Sequence, residues 1–339
     1  MPYAMGLEGG GTKTACLIAD ENVRIVGHGL GGPTNRNFVR PAVARKSILD
    51  AVRLGVKSCS ARPKSIDVCC MAYADAETQA LVRRVIPVDR FIASNEDEVA
   101  RTANLSSTFG VVVVAGTGSM ARAINKKGQG ASTGGWGTPL GDEGGAVDVA
   151  MKAIAAAIRA SDGRGPATRL QEEVVEYFGL ANIRELVPLF YQKGVLRHRI
   201  GGFFANVLDA AREGDSVARS ILRYAGRELG LCAAAAIRRA GMESEAFDVV
   251  VCGGVAQAGA LVLRPLATEV RKVAPRARVW SERLSPVCGA LLIALRELGL
   301  PLNDALREKL KASIREAGLV GWPSKAVLEG GTDVGRAMA

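Results

Sequence analysis

No run of apolar residues in this 339-residue chain approaches the roughly 20 needed to cross a bilayer, and the N-terminus has no basic region leading into an apolar stretch and a cleavage site. These absences set the membrane and secreted classes aside, and a cytoplasmic protein without a membrane partner is expected. No CxxC pair occurs either. The seven cysteines, odd in number and mostly inside apolar runs, have one close spacing, Cys69 beside Cys70, and fit reduced, buried thiols better than a disulfide framework. That pattern argues against a metal or iron–sulfur cluster within the chain and leaves open one shared across a dimer. The net charge is +10, yet the basic residues of "VRRVIPVDR", "AIRRAG" and "RKVAPRARV" are scattered along helices without interleaved aromatics. No nucleic-acid partner is therefore expected, and solubility with an anionic small substrate accounts for the charge.

Two domains' worth of chain is present, and its 48% hydrophobic and 23% charged content suits a globular protein with substantial cores. Near the start stands "GLEGGGTKT", Gly6 to Thr14, which has the look of a phosphate cradle. The P-loop spacing is missed by one residue, because Thr12 stands between Gly11 and Lys13. The dinucleotide fingerprint lacks its third glycine. The next residues, "TACLIAD", alternate like a strand, then a polar "DEN" leads to "VRIVGHG", another strand-like run, so the glycines join two strands of a meander. A hairpin of glycines and hydroxyls can present N–H groups to a phosphate, and a plain turn explains this segment equally well.

A second stretch, "GVVVVAGTGSMARAINKKGQGASTGGWG", repeats that grammar of strand, Gly/Thr loop, strand, polar turn and third segment. Between the two lie a helix around "AVARKSILDAVRLGVKS", a strand "SIDVCCMAYA", a short helix "ETQALVRRVI" and a strand "DRFIASN", which is a βββαβαβ order and a mixed sheet with flanking helices. Later come "SVARSILRYAGRELGLCAAAAIRRAG", expected to bury a face marked by Val217, Ile221, Tyr224 and Leu231, the apolar strand "AFDVVVCGGVAQAGA", and a loop running into a helix at "LSPVCGALLIALREL". The residues from about Gly318 read as a tail.

Together "GLEGGGTKT", "GPTN", "AGTGS", "GGWGTPLGDEGG", "EGDSVARSILRYAG" and "SPVCGALL", spread in order from Gly6 to Leu292, resemble the N-acetylglucosamine kinase and BadF/BadG/BcrA/BcrD ATPase family, within the sugar kinase, Hsp70 and actin group. The resemblance implies an α/β chain of two ribonuclease H-like (actin-like ATPase) domains of βββαβαβα type. The boundaries expected are 1–108, 109–310 and a C-terminal helix and tail, 311–339, packing back on the first domain. It further implies ATP and Mg2+ as cofactors, a hexose or amino-sugar substrate and a homodimer.

By the same resemblance, Gly10, Gly11, Thr12 and Lys13 hold phosphates with Gly116, Thr117 and Gly118 of the second loop, and Glu8 orients hydrated Mg2+ as an outer-sphere acceptor. Gly214, Gly253, Gly254, Val255 and Ser285 serve the rest of ATP, with Asp215 also readable as a helix cap. Phosphoryl transfer to a hydroxyl uses a carboxylate to take its proton, and the family places it about 20 residues before the second loop, in "ASNEDEVARTAN". Asp97 fits first, and Glu96 second if Asn95 is aligned on the family's Asn-Asp pair. Acids also gather at helix N-termini for capping and for the macrodipole alone. The sugar side takes Asn35, Ser119, Met120, Gly135, Trp136, Gly137, Asp142 and Glu143, although Met120 and Thr138 depart from the asparagine and histidine common there. Structural alternatives are a buried Trp between turn glycines and ordinary loop chemistry for Asn35. Asp75, in a "MAYADAE" lacking the family's glycines, has no role assigned. A partner-activating ATPase of the BadF type and a ligand-sensing relative without catalysis are the competing readings.

Overall fold

The computed structural model describes residues 1–36, 39–72, 75–107, 109–281, 284–320 and 322. Two compact units emerge, one of residues 1–107 with 284–322 and one of residues 109–281.

The first unit begins with three antiparallel strands, β1 (Tyr3–Gly9), β2 (Thr14–Asp20) and β3 (Ile25–Gly31). After them come α1 (Pro41–Lys57), β4 (Ile66–Ala72), α2 (Ala76–Arg83), β5 (Val88–Ser94) and α3 (Glu96–Asn104), in the βββαβαβα order expected. The sheet runs β3-β2-β1-β4-β5, with β4 parallel to both β1 and β5. Successive side chains of a strand point to opposite faces, and both faces here are apolar. Ala4, Ala15, Leu17, Val68 and Cys70 belong to one buried cluster, while Met5, Leu7, Cys16, Ile18, Cys69 and Met71 belong to the other.

The second unit repeats the plan. Its strands β6 (Gly110–Ala115), β7 (Ser119–Ile124) and β8 (Gly130–Gly134) form the meander. Where the first unit has one helix, this one has six among the described residues: α4 (Ala146–Ser161), α5 (Leu170–Phe178), α6 (Leu186–Pro188), α7 (Arg197–Gly202), α8 (Phe204–Arg212) and α9 (Ser216–Arg239). Then come β9 (Asp248–Cys252), α10 (Ala260–Val273) and β10 (Arg278–Ser281), giving the sheet order β8-β7-β6-β9-β10. Each sheet therefore has the same order, with the strand before its Gly/Thr loop at the centre.

Two expectations are corrected. Residues 284–310 were expected in the second domain, yet α11 (Pro286–Glu297) and α12 (Asp304–Glu316) belong with the first unit. From Val287 to Leu295 every residue of α11 is buried, as suits a helix apolar on all sides. Its backbone at Leu291 lies against Gly6 of β1, and at Gly289 against Val99 of α3. The helix α12 packs nearby, its Ser313 hydroxyl accepting the Ile25 N–H at 2.7 Å. The tail expected from about Gly318 lies, after Val320, outside the described residues apart from Trp322.

The second correction concerns α9. Its buried face is made of Ala218, Leu222, Ala225, Gly226, Leu229, Gly230 and Ala233, whereas Leu231 is 42% exposed. Val217 and Ile221 pack only at the margin of the core. Small residues win this face because α10 comes so close that a Cβ on Gly226 would run into the Val262 carbonyl.

Candidate active site

In the first unit the sequence from Gly9 to Lys13 closes the β1–β2 hairpin. The Gly10 N–H donates to the Lys13 carbonyl at 2.9 Å, and the Gly10 carbonyl accepts the N–H groups of Thr34 at 2.9 Å and Asn35 at 3.2 Å. The loop and Asn35, expected on the phosphate and sugar sides, are thus joined by backbone hydrogen bonds. Glu8, next to last in β1, has only 9% of its surface exposed, and its Oε1 lies 3.8 Å from where a Cβ on Gly10 would stand. A single carboxylate facing a glycine loop suits Mg2+, which keeps most of its waters and takes one or two carboxylates with substrate phosphates. Among the described residues no three His, Cys, Asp or Glu side chains gather into a metal site.

Parallel pairing brings the carboxyl ends of β1, β4 and β5 to one edge of the sheet. Leu7 pairs with Met71 and Ala72 with Ser94, so Glu8 and Ser94 stand level, two strand spacings or about 10 Å apart. Immediately after Ser94, Asn95 caps α3, its side chain accepting the Glu98 N–H at 2.9 Å, and the Ser94 hydroxyl donates to Glu98 Oε2 at 2.8 Å. Glu98 is therefore a capping acid. The Asn-x-x-Glu spacing announces this cap in the sequence. Glu96 and Asp97 occupy the same first turn, half-buried.

Asp75 now has a role. It caps α2, accepting the Thr78 N–H at 2.8 Å, and pairs with Arg36 at 2.9 Å. Hydrogen bonding from the Thr78 side chain, then from its N–H and from Arg36, holds this carboxyl below the usual range. Arg36 also reaches Glu77 at 3.0 Å, so the residue next to Asn35 is tethered to α2.

In the second unit the β6–β7 loop is tied to the start of α4, whose Ala146 and Val147 N–H groups donate to the Gly116 and Thr117 carbonyls at 2.9 and 3.2 Å. Gly253, with φ of 105°, sits directly against this loop, 3.0 Å from the Gly116 nitrogen as judged from its missing Cβ. Val255 is fully buried in the core of this unit, with neither side chain nor backbone exposed to a nucleotide. Gly214 joins α8 to α9 with φ of 106°. Asp215 caps α9 through Ala218 at 2.8 Å and also accepts the Thr168 hydroxyl at 2.7 Å and the Arg169 N–H at 3.0 Å. Ser285 belongs to the first unit, where it stands at the N-cap position of α11.

Of the residues expected on the sugar side, those of the second unit lie on neighbouring strands and loops, and Asn35 belongs to the first unit. The Ser119 hydroxyl donates to the Glu143 carbonyl at 2.7 Å, and its carbonyl accepts the Gly135 N–H at 2.9 Å. Met120 pairs with Gly134 across β7 and β8. The Gly137 N–H donates to Asp142 Oδ1 at 3.1 Å. Trp136 is 76% exposed, so it is no core residue, and Leu140 beside it is 79% exposed. Two participants were not legible. Arg197 of α7 donates to Asp142 at 2.6 Å, and Asp148 of α4 accepts the Gly144 N–H at 2.9 Å, its carboxyl pushed up chiefly by burial. Arg197 comes from far along the chain through a contact made by the fold, whereas Asp148 reaches back only four residues, a local contact at the helix start that residue type alone does not single out.

The family model for BadF/BadG/BcrA/BcrD ATPases matches residues 5–294. The N-acetylmuramic acid/N-acetylglucosamine kinase of Clostridium acetobutylicum is 28% identical over 308 residues, covering 88% of this chain and 99% of that one. The N-acetyl-D-glucosamine kinase of Dictyostelium discoideum is 24% identical, covering 86% and 97%. Among solved structures, a Chromobacterium violaceum protein provisionally named an N-acetylglucosamine kinase superposes with a TM-score of 0.65 at 22% identity, covering 87% and 99%. That last likeness supports the actin-like fold.

Proposed function

The chain belongs to the BadF/BadG/BcrA/BcrD ATPase family, and from that premise we propose that it is an ATP-dependent sugar kinase, transferring the γ-phosphate of ATP to a hydroxyl of a hexose or amino sugar. One observation carries the reading: two sheets of identical strand order each have a Gly/Thr hairpin after the central strand, and the first also carries Glu8 near the end of β1 and Glu96 and Asp97 at the start of α3, just after β5. Backbone N–H groups of Gly11, Gly116 and Gly118, with Thr12, Thr117 and Lys13, bind phosphate oxygens, while Gly10, whose N–H is engaged by the Lys13 carbonyl, shapes the loop. Glu8 would hold Mg2+ through water, and a bound ion would supply positive charge to offset that developing on the phosphates. Asp97 takes the proton of the attacking hydroxyl, with Glu96 the second choice. Asp142 and Asn35 hydrogen-bond the sugar hydroxyls, and exposed Trp136 offers an apolar face to the ring. Gly214, Gly253, Gly254 and Ser285 serve the nucleotide.

The relatives' names favour N-acetylglucosamine among candidates that include glucosamine and glucose, while Met120 and Thr138 argue for testing all three. A partner-activating ATPase would present cysteines to a shared cluster. Six of the seven cysteines are buried, and half-buried Cys232 is engaged by the Thr133 hydroxyl and carbonyl. The homodimer belongs to the same reading and rests on the resemblance, while the cytoplasmic location expected from the sequence rests on the lack of a bilayer-length apolar run. The test is ADP release with ATP, Mg2+ and each sugar in turn. Release that needs both sugar and metal, stops on chelation and returns with Mg2+ is expected; release indifferent to every sugar would overturn the reading.

A further inference from the structure

Arg197 meets Asp142 across 55 residues of chain, its Nη2 donating to Oδ2 at 2.6 Å and reaching Thr138 Oγ1 at 3.3 Å. The pair is nearly closed off from solvent, with side chains 15% and 8% exposed. Asp142 itself is held at φ of 67°, a left-handed backbone that a non-glycine residue keeps only where its surroundings impose it. Its second oxygen accepts the Gly137 N–H. The same carboxylate lies so tightly over Gly118 that a Cβ there would collide with it, and that Cβ would stand 3.3 Å from Arg197 Nη2. One turn further along α7, Gly201 faces Val147 at 3.3 Å and the Thr117 methyl at 3.8 Å, measured from its missing Cβ.

We infer that Arg197 is a positioning residue for this corner of the second unit. It clamps Asp142 against Gly118, so that the sugar-facing segment 135–142 and the phosphate-facing loop 116–118 are held as one piece. Without the guanidinium, a buried carboxylate loses its compensating charge, and it turns outward. Asp142 then no longer presents the acceptor geometry a sugar hydroxyl needs. ATP suffers less, because the loop meets phosphates through backbone N–H groups that Arg197 does not supply. The kinetic part rests on the sugar-kinase reading; the ordering of segment 135–142 does not.

The experiment compares the parent with Arg197→Met and Arg197→Lys by steady-state kinetics and by amide hydrogen exchange. In Arg197→Met the sugar KM is expected to rise about tenfold or more, with the ATP KM within about twofold and a smaller fall in kcat. Arg197→Lys keeps the charge but not the fork, and recovers part of the loss. Exchange across 135–142 speeds up in Arg197→Met while α9 keeps its protection. A sugar KM within about twofold of the parent, an ATP KM rising in step with it, or unchanged exchange in 135–142 would each overturn the inference. Should Arg197→Met fail to fold, Arg197→Lys decides: a sugar KM raised alone supports the clamp, and an unchanged one overturns it. A parent with no sugar-dependent turnover defeats the kinase reading, and hydrogen exchange then decides the clamp by itself.

Discussion

Asp97 and Glu96 stand side by side in the first turn of α3, and residue type alone does not separate a proton acceptor from a helix-capping acid. Of the three consecutive acids Glu96, Asp97 and Glu98, the Glu98 carboxylate is engaged by the Ser94 hydroxyl. Between the remaining two, Asp97→Asn is expected to lower kcat by about 10²–10⁴-fold with little change in KM, and Glu96→Gln to stay within a fewfold of the parent. Steady-state kinetics on both variants checks this, and the reverse pattern moves the base to Glu96. Asp215 is the contrasting case of an acid whose work is structural. Burial raises its pKa, but hydrogen bonds from the Ala218 N–H, the Thr168 hydroxyl and the Arg169 N–H outweigh that and leave it below the ordinary value. A folded pKa below the unfolded one near 3.9 means stabilisation that is fully present above about pH 5 and lost as pH falls through the folded value. Asp215→Ala should therefore cost about 1–2 kcal/mol at pH 7. Thermal unfolding should show the gap from the parent narrowing as the pH is taken from 7 towards 3; a gap constant with pH would show that the charge does not matter.

At the scale of elements, the packing of α9 on α10 shows what periodicity alone misjudges. Large apolar residues suggested one face of α9, but the helix buries its Ala and Gly residues because a neighbouring backbone fits there and a larger side chain does not. Gly226→Ala should thus destabilise by about 1–3 kcal/mol through overpacking, although alanine is the better helix former. Leu231→Gln, on the exposed side, should lie within about 0.5 kcal/mol of the parent. Urea titration of both variants distinguishes the faces, and the opposite ranking would restore the face marked by Leu231. The helix α11 carries a similar lesson. Its sequence shows that it is buried, but not on which sheet, and only the backbone contacts at Gly6 and Gly289 reveal that it braces β1 and the acid-bearing α3.

For the whole molecule, the repeated plan was legible because each hairpin announces itself locally, in glycines and hydroxyls between alternating apolar runs. The Asn95 cap was legible for the same reason. What escaped was whatever depends on chain far away: the six helices that expand the second unit, the return of α11 to the first, and the guanidinium of Arg197 on Asp142. The central claim is that two matched phosphate loops serve transfer to a sugar rather than to water. The most direct measurement follows a label in the γ-phosphate of ATP while N-acetylglucosamine, glucosamine or glucose is present with Mg2+. Label recovered in a sugar phosphate, in equal amount to the ADP formed, is the predicted result; label recovered as free inorganic phosphate, with every sugar unaltered, would contradict it.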